Sequence, residues 1–178
     1  MWLATYRKKS PQDNEKILVE VGENKAMMVR DATDCEIDGI IAIDHIAATK
    51  ETRQQDVREW VRKGCAIVAL VDERVVGYAV LEYSFFSCGF ISMLIVQEAY
   101  RRRGIATALV KRLEETCSTA KLFTSTNESN APMRALMSGM SYEPSGVVYN
   151  LDEGDPELFY FKRITKNGAL PGTTHPAS

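Results

Sequence analysis

Leu94-Ile-Val-Gln-Glu-Ala-Tyr-Arg-Arg-Arg-Gly-Ile-Ala-Thr107 is the stretch on which the reading of this chain turns. Its first three residues end an apolar run that begins at Phe90, the pattern of a buried strand. Three arginines and Gly104 follow. Beyond them Ile105, Leu109, Leu113 and Cys117 recur every four residues, with Ala106 and Val110 beside them. Arg112, Glu114 and Glu115 fall on the other side, so the spacing predicts an amphipathic helix. A strand that passes through a basic glycine turn into a helix has a chemical meaning. The first N–H groups of a helix lack intrahelical partners and carry partial positive charge. A pyrophosphate supplies the matching anion. Gly104 lets the backbone come close to it, Ala106 keeps the first turn small, and Arg101, Arg102 and Arg103 add local positive charge.

Working outward, residues 66–71 and 75–83 read as strands around the turn Asp72-Glu73-Arg74, and Ser87-Cys88-Gly89 turns the chain again into a strand over 90–96. Three strands joined by short turns predict an antiparallel meander. Before it come a short strand at 27–30 and a helix capped by Asp34, running through Ile37, Ile40, Ile41 and Ile46. A second helix over 52–63 has the stripe Val57, Trp60 and Val61 and stops at Gly64. After the glycine-turn helix comes a strand at 121–126. Asn130 then caps a helix with Pro132 in its first turn and the stripe Met133, Leu136, Met137 and Met140. Closing strands at 147–151 and 158–161 flank Asp152-Glu153-Gly154-Asp155-Pro156. The expected class is α+β, a mixed, mostly antiparallel sheet flanked by helices. Residues 1–24 read as an N-terminal arm with a short strand at 17–21, 25–164 as the domain, and 165–178 as a flexible tail.

The chain has 178 residues, enough for one core. Lys+Arg number 22 and Asp+Glu 24, for a net charge of −2, so no general attraction to nucleic acid or anionic membrane is expected. The Arg101–Arg103 run also lacks the interleaved aromatics of a nucleic-acid surface. Cys35, Cys65, Cys88 and Cys117 form no CxxC pair, and only His45 and His175 offer imidazoles, so no metal site is expected. Cys88 and Cys117 have no histidine-bearing motif beside them, which argues against a thiol nucleophile. No signal-peptide core or membrane-length apolar run is present, and the expected location is the cytoplasm.

Leu94-x-Val96 followed by Arg101-x-x-Gly104-x-Ala106 resembles the acetyl-CoA motif of the GNAT superfamily of N-acetyltransferases. Downstream, Asn130-x-x-Met133-x-x-Leu136-Met137, ending in Met140-Ser141-Tyr142, is similar to that family's second segment, and residues 150–162 to the terminal hairpin of some members. The resemblance covers roughly residues 27–164. It implies the GNAT fold, acetyl-CoA as co-substrate, and transfer of the acyl group to an amine by direct attack in a ternary complex. It places the cofactor on Leu94, Ile95, Val96, Arg101, Arg102, Arg103, Gly104, Ile105, Ala106, Thr107, Asn130 and Met137. It further implies a small-molecule or peptide amine as acceptor, and a homodimer as one assembly.

Three positions of the second segment depart from the family pattern, among them Ser141 for the usual glycine of a turn. Two departures, at Met137 and Ser92, bear on the chemistry. Met137 stands where a tyrosine often protonates the thiolate, and its place on the methionine stripe also suits core packing. Ser92 stands where a glutamate often serves as base. The candidates for catalysis are therefore Glu82, Ser92 and His45, with Asp44 a further carboxylate. Tyr83 and Tyr149 are candidates to line an acceptor cleft. The departures leave a second reading open, an acyl-CoA-binding GNAT-like interaction module of weak activity.

Overall fold

The structure is a computed structural model that describes residues 17–20 and 26–165. The expected arm ahead of residue 17 and nearly all of the expected tail lie outside the described residues. Among these residues eight strands form one sheet in the order β1-β2-β3-β4-β5-β6-β8-β7. They are β1 (Ile17–Glu20), β2 (Ala26–Asp31), β3 (Ala66–Val71), β4 (Arg74–Phe85), β5 (Cys88–Val96), β6 (Lys121–Asn127), β7 (Glu143–Val148) and β8 (Glu157–Arg163). Neighbours are antiparallel throughout, except that β5 and β6 run parallel. The helices are α1 (Ile37–Ile43), α2 (Glu51–Arg62), α3 (Ile105–Thr116) and α4 (Ala131–Gly139). Strand β1 falls within the expected 17–21 segment and pairs with β2 at the edge of the sheet.

Alternation along the strands divides the core between the two faces. Met27, Val29, Ile67, Ala69, Ile91 and Leu122 face α3 and α4. Val68, Leu70, Tyr78 and Val80 face α1 and α2. Two two-residue turns close the meander. Asp72 and Glu73 have φ of 49° and 62°, Phe86 and Ser87 of 48° and 57°. Paired positive φ values give the turn twist that matches the strands. Strand β4 therefore runs on to Phe85, beyond the expected end at residue 83. Helix α3 lies close on the sheet because Gly77 carries no side chain. A Cβ there would stand 3.0 Å from Ile95 O and 3.2 Å from an Ile105 methyl.

Several expectations are corrected. The first helix is preceded by a 3-10 turn, Asp34–Glu36, and Thr33 rather than Asp34 occupies the cap position. The Glu36 carboxylate accepts from Thr33 N and Oγ1 at 2.9 and 2.7 Å. Helix α1 ends at Ile43, short of Ile46, because Asp44 turns extended and its carboxylate accepts from Ile46 N and Ala47 N. Strand β7 lies at residues 143–148 rather than 147–151. It is an edge strand, which tolerates Pro144 and a register shift at Gly146. Arg112, expected on the solvent side of α3, is buried and pairs with Glu115 at 3.7 Å. That side is partly covered from β8, where Lys162 binds Glu114 at 2.9 Å. Among the described residues no helix is long and apolar enough to cross a membrane.

Candidate active site

The site is built where β5 changes partners. Along β4 the register runs Val80↔Met93 and then Leu81↔Ile91, so Ser92 is an extra residue, a bulge in β5. On its other side β5 pairs with β6 only at Gly89↔Leu122, Phe90↔Phe123 and Ile91↔Thr124. Thr124 Oγ1 donates to Ile91 O at 3.1 Å and ties the last rung. Above it the strands part, and the backbone groups of residues 92–96 on the β6 side have no ladder partner among the described residues. The Ser92 hydroxyl is buried there without a hydrogen-bond partner among the described residues. Leu94 and Val96 pack toward α3, Met93 and Ile95 toward α2. This is a fork in the sheet, bounded by main chain, with the buried Ser92 at the bulge where it starts.

At the open end of the fork the chain enters a turn. Gln97 N donates to Val76 O, and a short 3-10 segment spans Glu98–Tyr100. Arg101 Nε donates to Val96 O at 3.3 Å and ties the turn to the strand end. Arg103 lies over the Tyr100 ring at 5.4 Å. All three arginines are exposed. Arg102 at φ 61° and Gly104 at φ 79° both take left-handed conformations. Gly104 is the N-cap of α3 and supplies no side chain to the helix N–H groups. A Cβ on Gly104 would meet nothing within 4 Å among the described residues, which leave the space before the helix open. Half-buried Ala106 and Thr107 form the first turn with buried Ile105. Uncapped donors, an open approach and nearby guanidinium groups fit a pyrophosphate.

The second segment stands at the start of α4. Asn130 Oδ1 accepts from Met133 N at 3.2 Å, the cap expected from sequence. The loop before it is held by the β7–β8 turn. Asn127 Nδ2 donates to Asp152 at 2.9 Å, and Ser129 N and Oγ donate to Asp155 at 2.9 and 2.6 Å. The Ser129 bonds draw the Asp155 carboxyl below its ordinary range. Met137 has no exposed surface and belongs to the core on the α3 side.

Of the candidate bases, Glu82 sits on β4, with β5 between it and the fork, and Ser92 at the β5 bulge. Glu82 pairs in register with Phe90 and lies on the Val80 side of β4. It is half-buried and makes no ion pair or hydrogen bond among the described residues. His45 is exposed on the turn after α1. Asp44 is wholly buried and already engaged. It accepts from two backbone N–H groups and from Tyr78 Oη at 2.7 Å, with Arg53 Nε at 3.9 Å. Burial and this bond push the Tyr78 phenol well above its ordinary range. Tyr83 packs toward α3, and its hydroxyl accepts from Ser118 N at 2.9 Å, so it braces the strand instead of lining the face that carries Glu82. Tyr149 is 66% exposed beyond β7. Sequence reasoning missed Thr124 and the partners Tyr78 and Arg53 that engage Asp44. It also missed a sheet of phenylalanine rings beside Glu82, whose only sequence signal was phenylalanine at every second position in 159–161.

The family model for the acetyltransferase (GNAT) family matches residues 34–142. A GNAT-family acetyltransferase from Bacillus cereus ATCC 10987 is 31% identical, with a TM-score of 0.74 over 79% of this chain and 99% of that one. The yncA acetyltransferase of Salmonella typhimurium, solved with acetyl-CoA, is 14% identical, with a TM-score of 0.65 over 83% and 99%. A ribosomal-protein-alanine N-acetyltransferase from Brucella melitensis is 23% identical, with a TM-score of 0.64 over 76% and 98%. No curated protein matches. The chain belongs to the GNAT acetyltransferase family.

Proposed function

We propose that the protein is an acetyl-CoA-dependent N-acetyltransferase acting by direct attack of an amine within a ternary complex. The observation that carries this reading is the fork between β5 and β6, opening beside the uncapped N-terminus of α3. Acetyl-CoA supplies an electrophilic thioester carbonyl and a thiolate leaving group. The chain's part is to hold and orient. The donors of residues 104–107, with Arg101–Arg103 around them, take the pyrophosphate. Asn130 keeps its amide N–H groups free for the pantetheine arm. Main-chain N–H groups of residues 92–96 face the carbonyl oxygen and stabilise its developing charge. Fixing both reactants in one fork supplies the entropic share of the rate.

The proton balance assigns the side chains. The amine nitrogen forms a bond to the carbonyl carbon, the C–S bond breaks, and the nitrogen gives up a proton through Glu82 to solvent. The thiolate, a fair leaving group with a thiol pKa near ~8.5, accepts a hydrogen bond from the Ser92 hydroxyl and takes its proton from water. The orphaned Ser92 hydroxyl supports that role, and buried Met137 has no proton to give. His45 is the alternative base from the α1 side.

Met137 also supports a second reading, an acyl-CoA-binding module of weak activity. Calorimetry with acetyl-CoA and thioester consumption over an amine panel separate the two. Binding with turnover is expected. Gly104→Asp places a carboxylate in the open space before α3 and should abolish binding. Unchanged affinity in that variant overturns the cofactor assignment, and binding without turnover on any amine leaves the module.

A further inference from the structure

The chain has six phenylalanines, and all of them gather at one end of the sheet. Phe85 stands at the centre of the group. Its ring lies 5.0 Å from Phe86, 4.9 Å from Phe90, 5.3 Å from Phe123 and 5.6 Å from Phe159. Phe161 extends the array through Phe123 at 5.8 Å. None belongs to either core, five are half-buried, and Phe86 is 86% exposed. Their neighbours Gly89, Ile91, Leu122 and Tyr160 face the α3 side, so the rings lie on the face of α1 and α2. Those helices pack on β4 and β3. Aromatic rings placed beside one another on a face that no helix covers among the described residues are a surface for a ligand.

Two further features say what kind. The array ends at the fork, because Phe90↔Phe123 is the rung before Ile91↔Thr124, where pairing stops. Glu82 is in register with Phe90 on the same face, half-buried and without a partner among the described residues. A carboxylate so placed favours a cation. The rings themselves accept one, since the Arg163 guanidinium lies 5.9 Å from the Phe161 centroid. We infer that this face is the acceptor seat, and that the acceptor is a small arylalkylamine whose ring lies on the phenylalanines while its ammonium meets Glu82 beside the closed end of the fork. The inference rests on the N-acetyltransferase reading and names the substrate class of that site. A peptide suits the seat poorly. Strand N–H and C=O groups point along the sheet, so a peptide backbone laid across the rings would lose water without gaining partners.

Phenethylamine, ethylamine and the peptide Phe-Gly-Gly test this with the full chain. In the presence of CoA, calorimetry should show phenethylamine binding, and with acetyl-CoA its kcat/KM should exceed that of ethylamine. Phe159→Ala should lower the phenethylamine-to-ethylamine ratio about tenfold or more, through KM, with acetyl-CoA affinity kept. Phe159→Leu keeps apolar volume without the π face and guards against a folding artefact, and it should give an intermediate ratio. Absence of phenethylamine binding to the wild type overturns the inference, as does an unchanged ratio in both variants. Tighter binding of Phe-Gly-Gly than of phenethylamine assigns the face to peptides and also overturns it. So does a dimer that Phe159→Ala dissociates in sedimentation, since a second copy then covers the rings. If phenethylamine binds in a Phe159-dependent way but no amine is acetylated, the transferase reading fails and the seat stands.

Discussion

Asp44 and Glu82 are carboxylates near one face of the sheet, and their surroundings assign them opposite work. Asp44 is fully buried and accepts from Ile46 N, Ala47 N and Tyr78 Oη. Removing the phenol strips one oxygen of its close donor and leaves Arg53 Nε 3.9 Å away. Tyr78→Phe should therefore cost about 1–3 kcal/mol in urea unfolding, with an unchanged m-value. Glu82 has no such partners to lose. Glu82→Gln should change stability by less than about 0.5 kcal/mol while lowering turnover at saturating acetyl-CoA. A large stability loss in that variant, or full turnover, removes Glu82 from the reaction. Met137 lies on the structural side of the same division. It is fully buried among core residues, so Met137→Ala should cost about 2–5 kcal/mol. If that variant stays stable and binds acetyl-CoA but loses turnover, Met137 shapes the reacting site directly.

At the scale of elements, the entry to α1 shows how one side chain fixes a terminus. Arg30 donates to Glu36 through both nitrogens at 3.0 and 2.8 Å, and Thr33 adds two more bonds. These bonds, that from Arg30 foremost, lower the Glu36 carboxyl to about 2. A carboxyl depressed on folding contributes stability that is complete above its unfolded pKa of about 4.3 and is lost as pH falls toward the folded value. Glu36→Gln should thus destabilise the protein at pH 7 and flatten the acid limb of its stability profile between about pH 4.3 and 2. An unchanged acid limb would mean the cluster contributes nothing on folding. The elements themselves were unevenly legible. Helices α2 and α3 were readable because their apolar residues keep helical spacing and Gly64 and Gly104 punctuate them. Strand β7 was not, because Pro144 and Gly146 argue against a strand unless it is known to lie at an edge. Arg112 was misplaced because helical periodicity gives the inner face but not what covers the outer one.

At the scale of the molecule, the fork joins the two halves of the sheet, and no local pattern announces it. The phosphate turn was legible because strand, arginines, glycine and helix are consecutive. The fork depends on β5 and β6, about thirty residues apart, pairing at three rungs and then parting. The phenylalanine array likewise appears only once the registers of β4, β5, β6 and β8 are known. The fork makes a prediction about exchange. Amides of residues 92–96 that face β6 have no ladder partner among the described residues, and those of the first turn of α3 have no intrahelical one, so both exchange from the native state. Strands β2 and β3 are paired on both sides and supply an internal reference. Acetyl-CoA that sits with its pyrophosphate on α3 and its thioester in the fork should slow exchange in peptides covering 92–96 and 104–107 together, leaving β2 and β3 unchanged. Gly104→Asp should abolish both effects at once. Thr124→Val removes the hydroxyl that ties Ile91 O, so it should raise exchange around residues 91–93 before any ligand is added. Protection confined to the α3 turn would mean that the nucleotide end binds while the thioester stays outside the fork, and the main-chain oxyanion role of residues 92–96 would fall with it.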